Sequence, residues 1–203
     1  MDAKICGIKN PVTLNYIINH NHPPKFIGFI TNYPKSKRYL KFENLKNLVN
    51  TEKKKINFVS VLVKPDDIIL EKIKNLNFDY YQLYDVTPEK TKIIKKEFNV
   101  KIITALTIEN INDVMKYKNY ADISDIILFD SKGYHKSESF DHDLLDWVPN
   151  TLNKMIAGNI QIDDIPNFKN KDFHIDLSGS VENNEGNKDL NKIDKLLNLV
   201  AKT

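Results

Sequence analysis

Short apolar runs alternate with amphipathic stretches along all 203 residues, and this alternation predicts an α/β fold: one compact (β/α)8 barrel, the TIM barrel, spanning 1–203 as a single domain. Three observations select it. The chain divides into eight strand–helix units spaced by roughly 25 residues, which is what the closed barrel requires. No Gly-x-Gly-x-x-Gly turn follows the first apolar run, as an open dinucleotide-binding sheet would demand. The units also continue evenly to the C-terminus with no linker or low-complexity break.

The strand-like runs, in order, are Lys4–Ile8, Phe26–Ile30, Asn57–Val63, Tyr80–Leu83, Lys101–Leu106, Asp125–Phe129, Lys154–Ala157 and Phe173–Leu177. Helical spacing fills the gaps. Pro11 to Ile18 places Val12, Leu14 and Ile17 near a 3.6-residue repeat, and Phe42 to Val49 does the same with Leu45 and Leu48. Pro65 precedes a helix through Ile73, Thr87-Pro88 caps and opens the next, Ile108 to Tyr117 follows the fifth strand, and Leu190 to Val200 ends the chain. Asp141 to Asn150 and Ile162 to Lys171 read as weak or short helices.

Thirty basic residues against 27 acidic ones leave a net charge of +3, too even for an electrostatic footprint on nucleic acid or anionic lipid. No apolar run approaches the roughly 20 residues needed to span a bilayer. The single cysteine cannot form an internal disulfide, and the N-terminus lacks the apolar segment of a secretory signal, so a cytoplasmic location is expected. The five histidines show no metal-ligand spacing; neither a metal nor an organic cofactor is expected.

Two residues stand out because each occurs alone or nearly so. Cys6 is the only cysteine, and Arg38 is the only arginine among 30 basic residues. Arginine offers a planar fork that matches a carboxylate or phosphate bidentately, which lysine cannot, so Arg38 is a candidate ligand clamp. Barrel enzymes draw their functional groups from the C-terminal ends of strands. Cys6 in strand one, Arg38 after strand two, Gln82 in strand four, Asp130 after strand six and Asp176 in strand eight all fall there. Gly158-Asn159 and Gly179-Ser180 follow strands seven and eight, whose loops frequently bind phosphate in this fold, so a phosphorylated small molecule is the expected ligand.

Taken together, Lys4-Ile5-Cys6-Gly7-Ile8, Gly28-Phe29-Ile30, Pro34-Lys35-Ser36-Lys37-Arg38-Tyr39, Gln82-Leu83, Leu128-Phe129-Asp130-Ser131, Ile156-Ala157-Gly158 and Asp176-Leu177-Ser178-Gly179-Ser180-Val181-Glu182 resemble the phosphoribosylanthranilate isomerase family of tryptophan biosynthesis. The resemblance covers essentially the whole chain. Two departures mark it. The family usually continues Gln-Leu with His-Gly, where this chain has Tyr84-Asp85, and the family's glycine-rich segment before Thr-Phe-Asp is replaced by Lys132 to Ser139.

The resemblance implies an Amadori rearrangement of an aminoaldose, N-(5-phosphoribosyl)anthranilate, into its 1-deoxyribulose 5-phosphate aminoketose. It implies Asp130 as general acid, Cys6 as general base and Arg38 on the anthranilate carboxylate. Gln82 and Asp176 would position the sugar-amine portion, and Gly158, Asn159, Gly179 and Ser180 the phosphate, with Lys132 or Lys136 as possible additions. A monomer or homodimer is implied. Alternatives are another phosphosugar isomerase or epimerase on the same barrel, or a barrel that binds a phosphorylated metabolite without turning it over.

Overall fold

Local sequence starts most of the helices in the way side-chain chemistry prescribes. Asn10 accepts from the Thr13 N–H ahead of Pro11, Asp66 accepts from Ile69 N–H, Thr87 accepts from Lys90 N–H ahead of Pro88, and Asp189 accepts from Asn191 and Lys192. Each cap satisfies backbone donors that have no partner within the helix. The computed structural model describes residues 1–131 and 139–203.

Eight parallel strands close into a barrel in sequence order: β1 Ala3–Cys6, β2 Phe26–Ile30, β3 Asn57–Val63, β4 Tyr80–Tyr84, β5 Lys101–Ile108, β6 Ile126–Ser131, β7 Lys154–Ile156 and β8 His174–Leu177. The closing pair, β1 with β8, sets Lys4 opposite Asp176. The α-helices are α1 Pro11–Ile18, α2 Phe42–Val49, α3 Asp67–Ile73, α4 Pro88–Phe98, α5 Ile111–Met115 and α6 Leu190–Val200. Among the described residues no helix is long and apolar enough to cross a membrane.

Strand residues alternate between two cores, as a period of two dictates. Phe26, Val59, Val61, Tyr80, Ile103, Leu128 and Met155 form a cluster inside the barrel, whereas their neighbours Ile5, Ile27, Phe58, Ile127 and Ile175 pack with Leu14, Leu45 and Leu196 of the surrounding helices. Every one of these residues is essentially sealed from solvent.

Several element boundaries differ from the sequence reading. β1 stops at Cys6, because Gly7 adopts φ +81° and turns the chain away. β5 runs on through Ile108, so the helix expected from Ile108 shrinks to α5 followed by a 3-10 turn at Lys116–Asn119. The two weak helices are 3-10 segments, His142–Trp147 and Ile162–Phe168, the latter carrying Pro166, which cannot donate the bond an α-helix needs there. β6 extends to Ser131, which places Asp130 inside the strand rather than beyond it.

Candidate active site

Cys6, Ile30, Val63, Tyr84, Ser131 and Leu177 each end their strand, and all six line one cavity of about 350 Å³. That places the cavity at the C-terminal mouth of the barrel, within the size range of small-molecule sites.

On β1, Lys4 and Cys6 share the interior face. The Lys4 ammonium is fully buried and donates to Asp176 Oδ2 at 2.6 Å. Burial works against that ammonium, but the charge of Asp176 and the neighbouring Cys6 outweigh it, so Lys4 titrates above its ordinary value. Burial pushes the Cys6 thiol up, with Lys4 pulling the other way. Burial also raises Asp176, opposed by Lys4, and its Oδ1 has no partner among the described residues. Gly28 makes this crowding possible: a Cβ there would lie 2.8 Å from Cys6 Sγ and 3.1 Å from Lys4 Nζ.

Across the mouth, Asp130 Oδ2 accepts from the Tyr84 hydroxyl at 2.8 Å, and Gln82 Nε2 donates to that hydroxyl at 3.2 Å. Burial drives the Asp130 carboxyl up to about 6, with Asp176 adding to it while Tyr84, the Ser131 backbone and Lys4 hold it back. Gln82 Oε1 is buried and has no partner among the described residues, leaving an open acceptor at the cavity wall.

Arg38 reaches the same cavity from the loop after β2. Its stem lies where a side chain on Gly7 would be, since a Cβ there would come 2.5 Å from Arg38 Cδ. The fork is held from within the protein: Nε donates to Glu182 Oε1 at 2.5 Å and Nη2 to Oε2 at 2.8 Å. Lys188 completes the cluster, donating to Glu182 Oε1 at 2.9 Å and to the Ser178 carbonyl at 2.9 Å. Burial raises Glu182, yet the Arg38 hydrogen bonds and the Lys188 charge outweigh it and hold the carboxyl at about 2. Burial lowers Lys188 to about 8, against the pull of Glu182.

The opposite wall is backbone. Gly158 and Asn159 both take left-handed conformations, φ +92° and +52°, and Gly179 begins a 3-10 turn through Val181. All three line the cavity with Ser180, whose Oγ is buried without a partner among the described residues.

Cys6, Arg38, Gln82, Asp130, Gly158, Asn159, Asp176, Gly179 and Ser180, the nine residues singled out from sequence, therefore meet at one cavity. Lys132 and Lys136 lie outside the described residues. The structure adds two internal partners to these residues: Glu182 occupies two donors of Arg38, and Asp176 is bound to Lys4. Sequence reasoning passed over Lys4, Tyr84, Glu182 and Lys188 as functional groups. Lys4 and Glu182 stand inside the quoted motifs, but only the structure shows that Lys4 is a fully buried interior lysine, a rare placement for that residue type.

Acid–base groups gathered at the C-terminal mouth of a closed parallel barrel put the protein in the class of (β/α)8-barrel enzymes that act on small molecules. The chain matches the family of N-(5'phosphoribosyl)anthranilate (PRA) isomerase over residues 3–199, and it belongs to that family. It is 30% identical over 211 residues to the N-(5'-phosphoribosyl)anthranilate isomerase of Rhizobium rhizogenes, covering 98% of this chain and 94% of that one. The crystal structure of phosphoribosyl anthranilate isomerase from Thermotoga maritima superposes over 100% of both chains with a TM-score of 0.88 at 23% identity. A structure of such an isomerase with reduced 1-(o-carboxyphenylamino)-1-deoxyribulose 5-phosphate bound superposes over 100% of both chains with a TM-score of 0.85 at 22% identity.

Proposed function

We infer that the protein rearranges N-(5'-phosphoribosyl)anthranilate into 1-(2-carboxyphenylamino)-1-deoxyribulose 5-phosphate, with Asp130 as general acid and Cys6 as general base. One observation supports the pairing, with the roles those the family resemblance implies: both residues open onto one cavity, Cys6 buried and Asp130 half-buried, each with shifted ionisation.

In the first step protonated Asp130 gives its proton to the furanose ring oxygen as the C1–O bond breaks, and the nitrogen lone pair forms the iminium C=N bond. In the second, the Cys6 thiolate takes the C2 proton. The C–H electrons become the C1=C2 bond, and the iminium electrons return to nitrogen. Tautomerisation of the resulting enolamine gives the ketone. Electrons neither enter nor leave, so the reaction as written calls for no redox cofactor.

Asp130 deprotonates near 6 and Cys6 only above the ordinary thiol range, so the competent form, acid and thiolate, is a minor one. It carries the same number of protons as the dominant carboxylate–thiol form. Activity therefore rises with pH as Asp130 titrates, stays level, and falls as Cys6 titrates.

Binding follows from the remaining groups. Glu182 fixes Arg38 through Nε and Nη2, which leaves the other guanidinium N–H groups for the anthranilate carboxylate. Gln82 Oε1 and Asp176 Oδ1 are open acceptors for the sugar-amine portion. The Ser180 hydroxyl and backbone around Gly158, Asn159 and Gly179 take the phosphate. The same reading places the enzyme in the cytoplasm.

The test is turnover of freshly generated phosphoribosylanthranilate, followed by loss of its fluorescence. Wild type should convert it, and Cys6→Ala and Asp130→Asn should each lose about 10²–10⁴-fold. Binding without conversion by the wild type would favour a metabolite-binding barrel instead.

A further inference from the structure

Position 84 departs from the family's usual histidine, and the tyrosine there lines the cavity beside Asp130. Tyr84 closes β4, is buried, and donates to Asp130 Oδ2 at 2.8 Å. Gln82, two residues earlier on the same interior face, donates to the Tyr84 oxygen at 3.2 Å. An amide N–H can only donate, so it occupies a lone pair of the phenol and directs the phenolic proton toward Asp130. The chain of bonds has one polarity, from Gln82 through Tyr84 to the carboxylate, and each link strengthens the next.

We propose that Tyr84 is a positioning residue for the acid: it holds Asp130 Oδ2 as a standing acceptor, so that the proton delivered to substrate is carried on Oδ1. This rests on Asp130 being the general acid. A donated phenolic bond also favours the ionised carboxylate. Burial and Asp176 on β8 push the other way, while Lys4 on β1 and the Ser131 backbone on β6 side with Tyr84. Tyr84 itself is buried and faces Asp130, Asp176 and Cys6, which keep its hydroxyl protonated well beyond the ordinary phenol range. It is therefore a donor at every pH where the enzyme works.

Tyr84→Phe deletes the hydroxyl and keeps the ring, so packing is conserved and the bond is lost. The ionised form of Asp130 loses a donor, and the low-pH limb of kcat/KM should move up by about one pH unit. The carbon-13 carboxyl signal of Asp130, assigned as the one missing from Asp130→Asn, should titrate higher by the same amount without substrate. Gln82→Leu should shift that signal less in the same direction, and add nothing in the Tyr84→Phe background. An Asp130 midpoint that stays at the wild-type value in Tyr84→Phe overturns the proposal. Undiminished turnover by Asp130→Asn overturns it too, through the assignment on which it rests, and the carboxyl titration tells the two failures apart.

Discussion

Lys4 Nζ lies 2.6 Å from Asp176 Oδ2, with both side chains buried and Cys6 as the next interior residue on the same strand. A thiolate formed at Cys6 thus finds an ammonium already beside it. The pair joins residues 172 positions apart, which the closure of β8 against β1 brings into register. Removing one partner strands the other charge in the barrel.

Lys4→Met and Asp176→Asn should each destabilise the fold by about 3–5 kcal/mol, the usual consequence of leaving a buried charge unpaired. The double variant Lys4→Met, Asp176→Leu should recover much of that in denaturant unfolding. It should not recover thiolate chemistry: the pH midpoint for alkylation of Cys6 by iodoacetamide should rise whenever Lys4 is absent. An unchanged midpoint would show that Lys4 serves only the ion pair.

Gly28→Ala tests how closely the base is packed. The added methyl would meet Cys6 Sγ and Lys4 Nζ, both ends of side chains, so the fold can yield at a cost of about 1–3 kcal/mol. Displacing the thiol by even a fraction of an ångström should lower kcat by about ten- to a hundredfold. Wild-type kcat in the folded variant would contradict a positioned Cys6.

Arg38→Lys keeps the charge and loses the fork, so kcat/KM should fall by about ten- to a hundredfold, and Glu182 should lose its bidentate partner. The Glu182 side holds a second expectation. Its folded-state value near 2 lies below the ordinary one, so its contribution to stability is present above pH 4.5 and is lost as pH falls toward 2. Discounted for the partly exposed Arg38, that contribution is about 1–2 kcal/mol. Acid unfolding of wild type and Glu182→Gln should therefore converge across this window; parallel curves would mean the pair contributes no linked stability.

The barrel was legible because alternation and strand-end punctuation are local. Cys6, Arg38 and Asp130 were legible because their types are scarce or chemically distinctive at strand ends. Lys4 was not: in a chain where lysine supplies nearly all the positive charge, nothing local separates an interior lysine from a solvated one. Tyr84 read as a departure from a motif, and only the 2.8 Å bond across the mouth from β4 to β6 shows that it touches Asp130. Arg38 read as a ligand clamp, but its internal partner Glu182, 144 residues away, was not legible in the sequence. The 3-10 segments at His142–Trp147 and Ile162–Phe168 show the same limit for helices, since apolar spacing there does not reveal which hydrogen-bond pattern wins.

The division of labour between Asp130 and Cys6 is tested most directly by a kinetic isotope effect with substrate deuterated at ribose C2. Cys6→Ser should make removal of the C2 proton the slow step and show a large primary effect on kcat/KM. Asp130→Asn should make ring opening slow and show an effect near one. Equal effects in the two variants, or a large effect confined to Asp130→Asn, would contradict the assignment of Cys6 as base and Asp130 as acid.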